Sequence, residues 1–233
     1  MSGIVFEDIG GVTVAQDGDG LLVTTDACLL SALVRRNGKQ RICELCAGDG
    51  IVSAMILAHG KAASCVCVDF QAPLCRLAKK NAVPFDGKMS VVCSDVLDYR
   101  PEHVFDAVVC NPPYFVKSAK PADNAVRDLS RRESTATVAD FAACASRILR
   151  DGGDAYFCYD PARLVDLLCA CRENRLEPKT LVNVYPDSGH RSNLLLIAAK
   201  KNGAPGLNVA RPLLLNEQYE KIIKNNTIEF LYE

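Results

Sequence analysis

Short apolar runs alternate with amphipathic segments from about residue 40 to residue 200. Nearly continuous apolar runs predict buried strands at 41–45, 64–68, 89–93, 104–110 and 154–159. Apolar positions repeating every 3.6 residues or so predict helices at 51–59, 73–81, 138–150 and 162–174. Strands that alternate with helices, and that are apolar on both faces, favour an α/β fold with a parallel sheet covered on both sides.

The pattern changes after the fifth predicted strand. Residues 179–185 and 193–199 read as two further strands, and the turn-rich segment from Pro186 to His190 separates them. We therefore expect a seven-stranded, mostly parallel sheet that ends in an antiparallel hairpin. The length of 233 residues and the 49% hydrophobic content fit one domain. Within it, residues 1–39 form an N-terminal segment with a helix, 40–201 the core and 202–233 a tail.

Net charge limits the partners that this chain can have. The formal charge is −1 and the isoelectric point is near 6.3, so any nucleic-acid surface must be local. The first residues lack the basic start and apolar core of a signal peptide, and no apolar run has the length of a membrane span. We expect a soluble cytoplasmic protein without a membrane partner.

The chain has twelve cysteines and three scattered histidines. Cys43 and Cys46 form one CxxC motif, and two CxC pairs lie in apolar runs. A structural zinc site usually draws its four ligands from two such clusters, and the second cluster is missing here. We expect the cysteines to fill the interior and no metal to bind; a metal or redox role is the alternative.

Polar side chains stand at or just after four successive predicted strand ends. They are Glu44, Asp69, Asp95 and Asn111, with a glycine loop at 46–50 after the first strand. The carboxyl ends of parallel strands meet at one edge of a sheet, where α/β proteins bind ligands. The sequence therefore predicts one ligand site along this edge.

Three of these strand ends have the residues of a nucleoside pocket. Gly48 and Gly50 let backbone N–H groups approach a polar ligand at a helix N-terminus, and Asp69 follows at the spacing of a ribose-binding carboxylate. Phe70 can pack on an adenine ring, and the Asp95 carboxylate can accept a hydrogen bond from the adenine amino group. Taken singly, the glycines are compatible with an ordinary turn and Asp69 with a helix N-cap.

The fourth strand end carries Asn111-Pro112-Pro113-Tyr114. Prolines donate no backbone hydrogen bond, so the Asn111 side-chain oxygen and the Pro112 carbonyl can both accept from one NH2 group. Tyr114 offers a ring on which a planar base can stack. This predicts a site for a planar amine or amide; a Pro-Pro turn beside a core tyrosine is the alternative.

Taken together, these motifs resemble class I S-adenosylmethionine-dependent methyltransferases, which have a Rossmann-like fold. The matching segments are 44–50, Asp69, Ser94-Asp95 and 111–114. The chain is further similar to the bacterial tRNA1(Val) (adenine-37-N6)-methyltransferase family, through 24–30, 125–133, 176–179, 184–186, 193–200 and 205–207. Cys46 departs from the pattern, because it stands where the family has its first loop glycine.

The resemblance implies S-adenosylmethionine as cofactor and a role for each matching residue. Thr25 and Asp26 would close over the cofactor. Its methionine end would contact Glu44, Cys46, Gly48 and Gly50. Its adenosine would contact Asp69, Phe70, Asp95 and Val96. Asn111, Pro112, Pro113 and Tyr114 would be catalytic, with Asn111 also bordering the cofactor.

An RNA substrate, most simply tRNA, follows from the same resemblance. Residues 1–34 contain no lysine or arginine, so the candidate RNA-binding residues lie after the Asn-Pro-Pro-Tyr motif: Lys117, Lys120, Arg127, Arg131 and Arg132. A solvated loop is the alternative for these charges. The alternative functions are methylation of a glutamine amide in a release factor, methylation of an adenine in DNA, and a non-catalytic nucleotide- or RNA-binding module.

Overall fold

A computed structural model of the protein describes residues 4–17, 25–113 and 136–231. The described strands are β1 (Ile4–Ile9), β2 (Val12–Asp17), β3 (Arg41–Leu45), β4 (Ser64–Asp69), β5 (Met89–Cys93), β6 (Phe105–Cys110), β7 (Leu149–Tyr159), β8 (Leu176–Tyr185), β9 (Leu194–Lys201), β10 (Asn208–Val209) and β11 (Leu213–Leu214). The described α-helices are α1 (Thr25–Leu33), α2 (Ile51–Ala58), α3 (Ala72–Ala82), α4 (Val138–Ile148), α5 (Leu164–Glu173) and α6 (Leu215–Asn225).

One mixed sheet runs through the molecule in the order β10-β8-β9-β7-β6-β3-β4-β5, and β11 pairs with β8. Strand β9 is antiparallel to both β7 and β8, and the other pairs in this sheet are parallel. The predicted seven strands and their C-terminal antiparallel hairpin are therefore confirmed. Two strands of two residues each, β10 and β11, extend that sheet beside β8.

Side chains of the central strands alternate between two cores, one on each face of the sheet. In β3, Ile42 joins the cluster formed with α1 and α2, whereas Cys43 and Leu45 join the cluster formed with α4 and α5. The continuous apolar runs in the sequence follow from this arrangement, because both faces of each central strand are buried.

Helix α4 shows why the chain switches between the two kinds of element. Thr137 and Asp140 form a capping box, with Thr137 Oγ1 accepting from the Asp140 N–H at 3.4 Å and Asp140 Oδ2 accepting from the Thr137 N–H at 2.8 Å. The helix ends at Ile148 rather than at the expected Arg150, because β7 already begins at Leu149 and pairs there with Phe105. A register shift between Phe105 and Ala107 accommodates the Asp151–Gly153 segment inside the strand.

Besides the short strands β10 and β11, two larger features were absent from the expectation. The first is the hairpin of β1 and β2, in which Ile9 pairs with Val12 and the turn residues Gly10 and Gly11 both have positive φ (60° and 83°). The second is α6, in the segment expected to be a plain tail. Helix α6 packs against α1, and the buried Asn226 that follows it accepts from the Ser31 hydroxyl at 2.9 Å.

A buried lysine completes the packing at the end of α1. Lys61 is 2% exposed, and its Nζ donates to the carbonyls of Ser31 (2.7 Å) and Ala32 (3.2 Å). Those carbonyls lie in the last turn, where helix carbonyls lack intrahelical partners. Burial lowers the pKa of Lys61 to about 7.

Among the helices of the described residues, none has the length and apolar character needed to cross a membrane.

Candidate functional site

The predicted polar residues do meet along one edge of the sheet. Leu45 pairs with both Val68 and Cys110, and Asp69 pairs with Cys93, so the strands β3, β4, β5 and β6 end side by side. Because these strands are parallel, the loops that follow them share the carboxyl edge. Whatever binds at this edge touches the ends of four neighbouring strands at once.

The loop between β3 and α2 has the backbone shape that its glycines require. Gly48 and Gly50 have φ values of 57° and 78°, and a Cβ on Gly50 would lie 2.5 Å from Met89 Cε. Cys46 adopts φ 56°, a left-handed conformation that disfavours residues with a Cβ. The departure at Cys46 therefore keeps the shape of a glycine position rather than changing the loop.

Glu44 lies beneath this loop. It is 3% exposed, and its Oε2 accepts from the Ser53 N–H at 2.8 Å and from the Cys67 thiol at 3.8 Å. Burial raises the pKa of Glu44 to about 8. The carboxyl group holds the first turn of α2 against β3 and so helps to position the backbone of this loop.

Asp69 joins the glycine loop to the end of β4. Its Oδ2 accepts from the Gly48 N–H at 2.9 Å, and its Oδ1 accepts from the Gln71 N–H at 2.9 Å. Burial raises the pKa of this carboxyl group, and the backbone donors act in the opposite direction. The N-cap of α3 is Gln71, so Asp69 is not the cap; it fixes the turn that leads to the cap. Phe70, between them, is half-buried at the edge.

The end of β5 forms a compact turn. Asp95 Oδ1 accepts from the Leu97 N–H at 2.9 Å, and the Asp95 carbonyl accepts from the Tyr99 N–H at 2.9 Å. The Ser94 N–H donates to the Asp69 carbonyl at 2.9 Å, which ties this turn to the end of β4. Val96 is buried and Asp95 is half-buried. The turn that carries the predicted adenine contact Asp95 therefore lies next to Asp69.

Sequence reasoning missed a second support for the glycine loop. The Asn81 Nδ2 donates to the Asp49 carbonyl at 2.9 Å and to the Ala15 carbonyl at 3.0 Å, and Asn81 Oδ1 accepts from the Ala15 N–H at 2.7 Å. One amide on α3 therefore connects the loop to strand β2. Burial raises the pKa of the neighbouring Asp49 to about 6, and Gln16 hydrogen-bonds to that carboxyl group. In the sequence, the only sign of this role is that Asn81 is a polar residue on the apolar face of an amphipathic helix, near the end of that helix.

Thr25 and Asp26 begin helix α1 and are half-buried. Tyr219, on α6, hydrogen-bonds to the side chains of Thr25 and Cys28. Asp26 also acts electrostatically on Cys158, near the end of β7. The two residues therefore lie beside the carboxyl edge, held there by a helix that the sequence analysis did not predict.

Asn111, Pro112 and Pro113 follow directly on β6. Asn111 and Pro113 are half-buried, and Pro112 is buried. Among the described residues, none hydrogen-bonds to the Asn111 side chain. Tyr114 and the basic residues Lys117, Lys120, Arg127, Arg131 and Arg132 lie outside the described residues.

All twelve cysteines are free thiols, and most are buried, as expected for residues that fill the interior. Within residues 4–17, 25–113 and 136–231, no cluster of three or more His, Cys, Asp or Glu residues is arranged to hold a metal ion.

Comparison with known families finds one match over more than half of the chain. Residues 23–160 match the family model described as the methyltransferase small domain. This segment contains the glycine loop, both strand-end aspartates and the Asn-Pro-Pro-Tyr motif.

Curated relatives have modest identity. A protein of Pedobacter heparinus named tRNA1(Val) (adenine(37)-N6)-methyltransferase is 33% identical over 109 residues, which are 46% of this chain and 47% of that protein. A protein of the same name from Parabacteroides distasonis is 29% identical over 178 residues, covering 75% of this chain and 74% of that one. The matched segment thus spans about half of the first relative's length and three quarters of the second's.

Solved structures share the fold. A protein of Agrobacterium tumefaciens described as a predicted O-methyltransferase superposes with a TM-score of 0.69 and 21% identity, covering 86% of this chain and 95% of its own. TYW2 of P. horikoshii, solved in complex with MeSAdo, gives a TM-score of 0.62 at 13% identity and covers 86% of this chain and 72% of its own. At these identities the likeness is one of fold.

Proposed function

Because the chain belongs to the methyltransferase small domain family, whose methyl donor is S-adenosylmethionine, we propose that it methylates N6 of an adenine in tRNA. The observation that carries the proposal is the Asn111 side chain, which none of the described residues binds, at the end of β6 beside the glycine loop. The names of the relatives from Pedobacter and Parabacteroides support tRNA as the substrate.

The glycine loop and the ends of β4 and β5 would hold the cofactor. In this proposal the methionine end contacts the loop from Cys46 to Gly50, which Glu44 positions from below. The adenosine lies against Asp69, Phe70, Asp95 and Val96. Thr25 and Asp26 close over it from α1. S-adenosylmethionine supplies an activated methyl group on a sulfonium, so we propose that the reaction needs no metal.

Asn111 and the Pro112 carbonyl would hold the adenine. The lone pair of an exocyclic amine is delocalised into the ring and is a poor nucleophile. Two acceptors that hold both N–H groups turn this lone pair out of the ring plane, toward the methyl group. Positioning and electrostatics, rather than a strong base, would then supply most of the rate.

The adenine must first leave its stack in the folded RNA, at a cost of a few kcal/mol. Stacking on Tyr114 would return roughly 1–3 kcal/mol. Lys117, Lys120, Arg127, Arg131 and Arg132 follow Tyr114 in the chain, so they would meet the phosphates that flank the extruded base. Residues 1–233 would act as one catalytic domain, in the cytoplasm where tRNA is modified.

Incubation of the full chain with labelled S-adenosylmethionine and total bacterial tRNA tests the proposal. We expect N6-methyladenosine in the nucleoside digest, and none with the Asn111→Ala variant. Purified release factor and duplex DNA serve as competing substrates in parallel reactions. Label that enters a glutamine of the release factor, with none in tRNA, would overturn the adenine assignment in favour of the amide.

A further inference from the structure

Two thiols meet at the turn after β4. Cys75 lies in the first turns of α3, and its Sγ donates to the Asp69 carbonyl at 3.2 Å. Cys93 is the last residue of β5, and its Sγ donates to the Phe70 carbonyl at 3.7 Å. The two thiols thus contact the carbonyls of two consecutive residues, and Cys93 is the register partner of Asp69 across β4 and β5. The sulfur atoms are therefore neighbours, although 18 residues separate them in the sequence.

Exposure distinguishes this pair from the other cysteines. Cys93 and Cys169 are the two exposed cysteines of the chain. Cys75 is buried, and burial raises the pKa of its thiol to about 12. A thiol that solvent reaches therefore lies against a protected one. An exposed sulfur beside a second thiol is the arrangement of redox-active dithiols, in which one thiol reacts first and the other resolves the product.

We propose that Cys75 and Cys93 form a reversible intramolecular disulfide when the protein meets a hydroperoxide. The Cys93 thiolate attacks one peroxide oxygen: an S–O bond forms, the O–O bond breaks, and the departing hydroxide takes up a proton as water. The Cys75 sulfur then attacks Cys93, the S–O bond breaks, and the second hydroxide leaves as water with the Cys75 proton. Two thiols are oxidised, one hydrogen peroxide is reduced and two waters are released.

The disulfide removes the S–H donors that Cys75 and Cys93 give to the carbonyls of Asp69 and Phe70. In the proposed function, on which this consequence rests, those two residues hold the adenosine. Oxidised protein should then bind the cofactor about tenfold more weakly, which is about 1.4 kcal/mol. The dithiol assignment itself does not depend on where the cofactor lies.

Peptide mapping under non-reducing conditions tests the disulfide. Reduced full-length protein is exposed to hydrogen peroxide, alkylated and digested. We expect a linked pair of peptides carrying Cys75 and Cys93, lost on reduction with dithiothreitol. The link should be absent in Cys93→Ser and in Cys75→Ser or Cys75→Ala, and present in the matched control Cys169→Ser, which removes the other exposed thiol.

The proposal fails if peroxide leaves Cys75 reduced in the wild-type chain, or if it joins Cys93 only to a second molecule. These results come from wild-type protein and hold even if a Cys75 variant does not fold. Equal cofactor affinity of the reduced and oxidised forms would overturn the regulatory consequence. Reduced protein that binds no S-adenosylmethionine would instead count against the proposed function, which the disulfide map does not measure.

Discussion

The two halves of the carboxyl edge treat their polar side chains in opposite ways. On the β3 and β4 side, Glu44 and Asp69 are both 3% exposed, and their oxygens accept from backbone N–H groups of the loops around them. On the β6 side, none of the described residues binds the half-buried Asn111 amide. Internal hydrogen bonds shape one half of the site, whereas in the other half no described residue binds the Asn111 acceptor.

The difference separates residues that fix the shape of the binding surface from a residue that is proposed to bind the substrate directly. A buried carboxylate that accepts two backbone bonds fixes a loop in advance, so a ligand meets a shape that needs little rearrangement. The Asn111 amide, which no described residue binds, can accept from a ligand without first breaking a bond to any of those residues. We therefore expect substitutions in the two halves to fail differently, one in stability and the other in turnover.

The largest effect is expected at Asn111. Replacing it with alanine removes an acceptor for the substrate amine, so methyl transfer should fall at least about a hundredfold, as when one preorganised polar group is lost. Thermal stability should stay unchanged, and the Kd for S-adenosylmethionine should stay within about tenfold. Single-turnover rates and calorimetric titration measure the two quantities. Asn193→Ala, an exposed amide after β8, is the matched control and should keep full activity. A large loss of cofactor affinity in Asn111→Ala would contradict the division between the halves.

Asp69→Ala should mainly cost stability. It strands the part-buried N–H group of Gly48 and the buried N–H group of Gln71, at about 3 kcal/mol for the two donors together. Urea denaturation without cofactor measures the change in the free energy of unfolding. Asp95→Ala removes an acceptor for one N–H group at a more exposed turn, and about 1 kcal/mol is expected there. Equal losses in the two variants would mean that Asp69 does not position the loop.

Glu44 should make stability depend on pH. Its pKa is about 8 in the folded protein and near 4.5 in the unfolded chain, so the folded state binds the extra proton between these values. Stability should therefore fall as pH rises from 4.5 to 8, by up to about 1.4 kcal/mol per pH unit. Asp49, whose pKa is about 6 in the folded protein against an ordinary 3.8, adds a smaller decrease in stability as pH rises between these two values.

Glu44→Gln keeps an acceptor for the Ser53 N–H and removes the titration, so the fall between pH 6 and pH 8 should flatten. Lys61 acts with the opposite sign. Its folded pKa of about 7 lies below the ordinary 10.5, so it makes stability rise from pH 7 to 10.5. Urea midpoints from pH 5 to pH 10 separate the two groups. An unchanged slope in Glu44→Gln would mean that the carboxyl group is charged at neutral pH.

The smallest effect is expected at Cys46. Its φ of 56° is the left-handed conformation that costs a residue with a Cβ roughly 1–2 kcal/mol. Cys46→Gly should relieve this strain and, after the loss of sulfur packing, stabilise the protein by up to about 1 kcal/mol. Ala47→Gly, one position later and without a positive φ, should instead destabilise by about 0.4–1 kcal/mol. The melting temperatures of the two variants measure these changes. A lower melting temperature for Cys46→Gly than for Ala47→Gly would contradict backbone strain at Cys46.

Local pattern predicted most elements of the core and also the edge strand β5, although most of that strand is not buried. The bounds of β3 and β5 match the prediction, those of β4 and α2 differ by one residue at one end, and those of α3 differ by one residue at each end, because apolar runs and loops mark both limits. The hairpin of β1 and β2 was missed, although Gly10-Gly11 between two alternating runs is a recognised hairpin signal. Helix α6 was missed for a similar reason, since Leu215, Tyr219 and Ile222 follow a helical period in a segment taken for a tail.

The site was predictable in its residues but not in its bonds. Strand ends follow from the chain order, so the meeting of Asp69, Asp95 and Asn111 at one edge could be inferred. The bond from the Gly48 N–H to Asp69 joins residues 21 positions apart, and nothing in the local pattern encodes it. The same holds for Asn81, whose partners lie on β2 and in the glycine loop.

The Asn81 amide also bears on the order in which the molecule assembles and opens. The hairpin of β1 and β2 is local and can close early, but its docking on Asn81 spans 66 residues and requires α3 to be in place. We therefore expect docking to be a late step, and undocking an early one when the native state fluctuates. In hydrogen exchange the Ala15 amide should open at a lower free energy than the amides of β3 and β6. Because the same amide also holds the Asp49 carbonyl, we expect the glycine loop to share the fluctuations of a hairpin outside the main sheet.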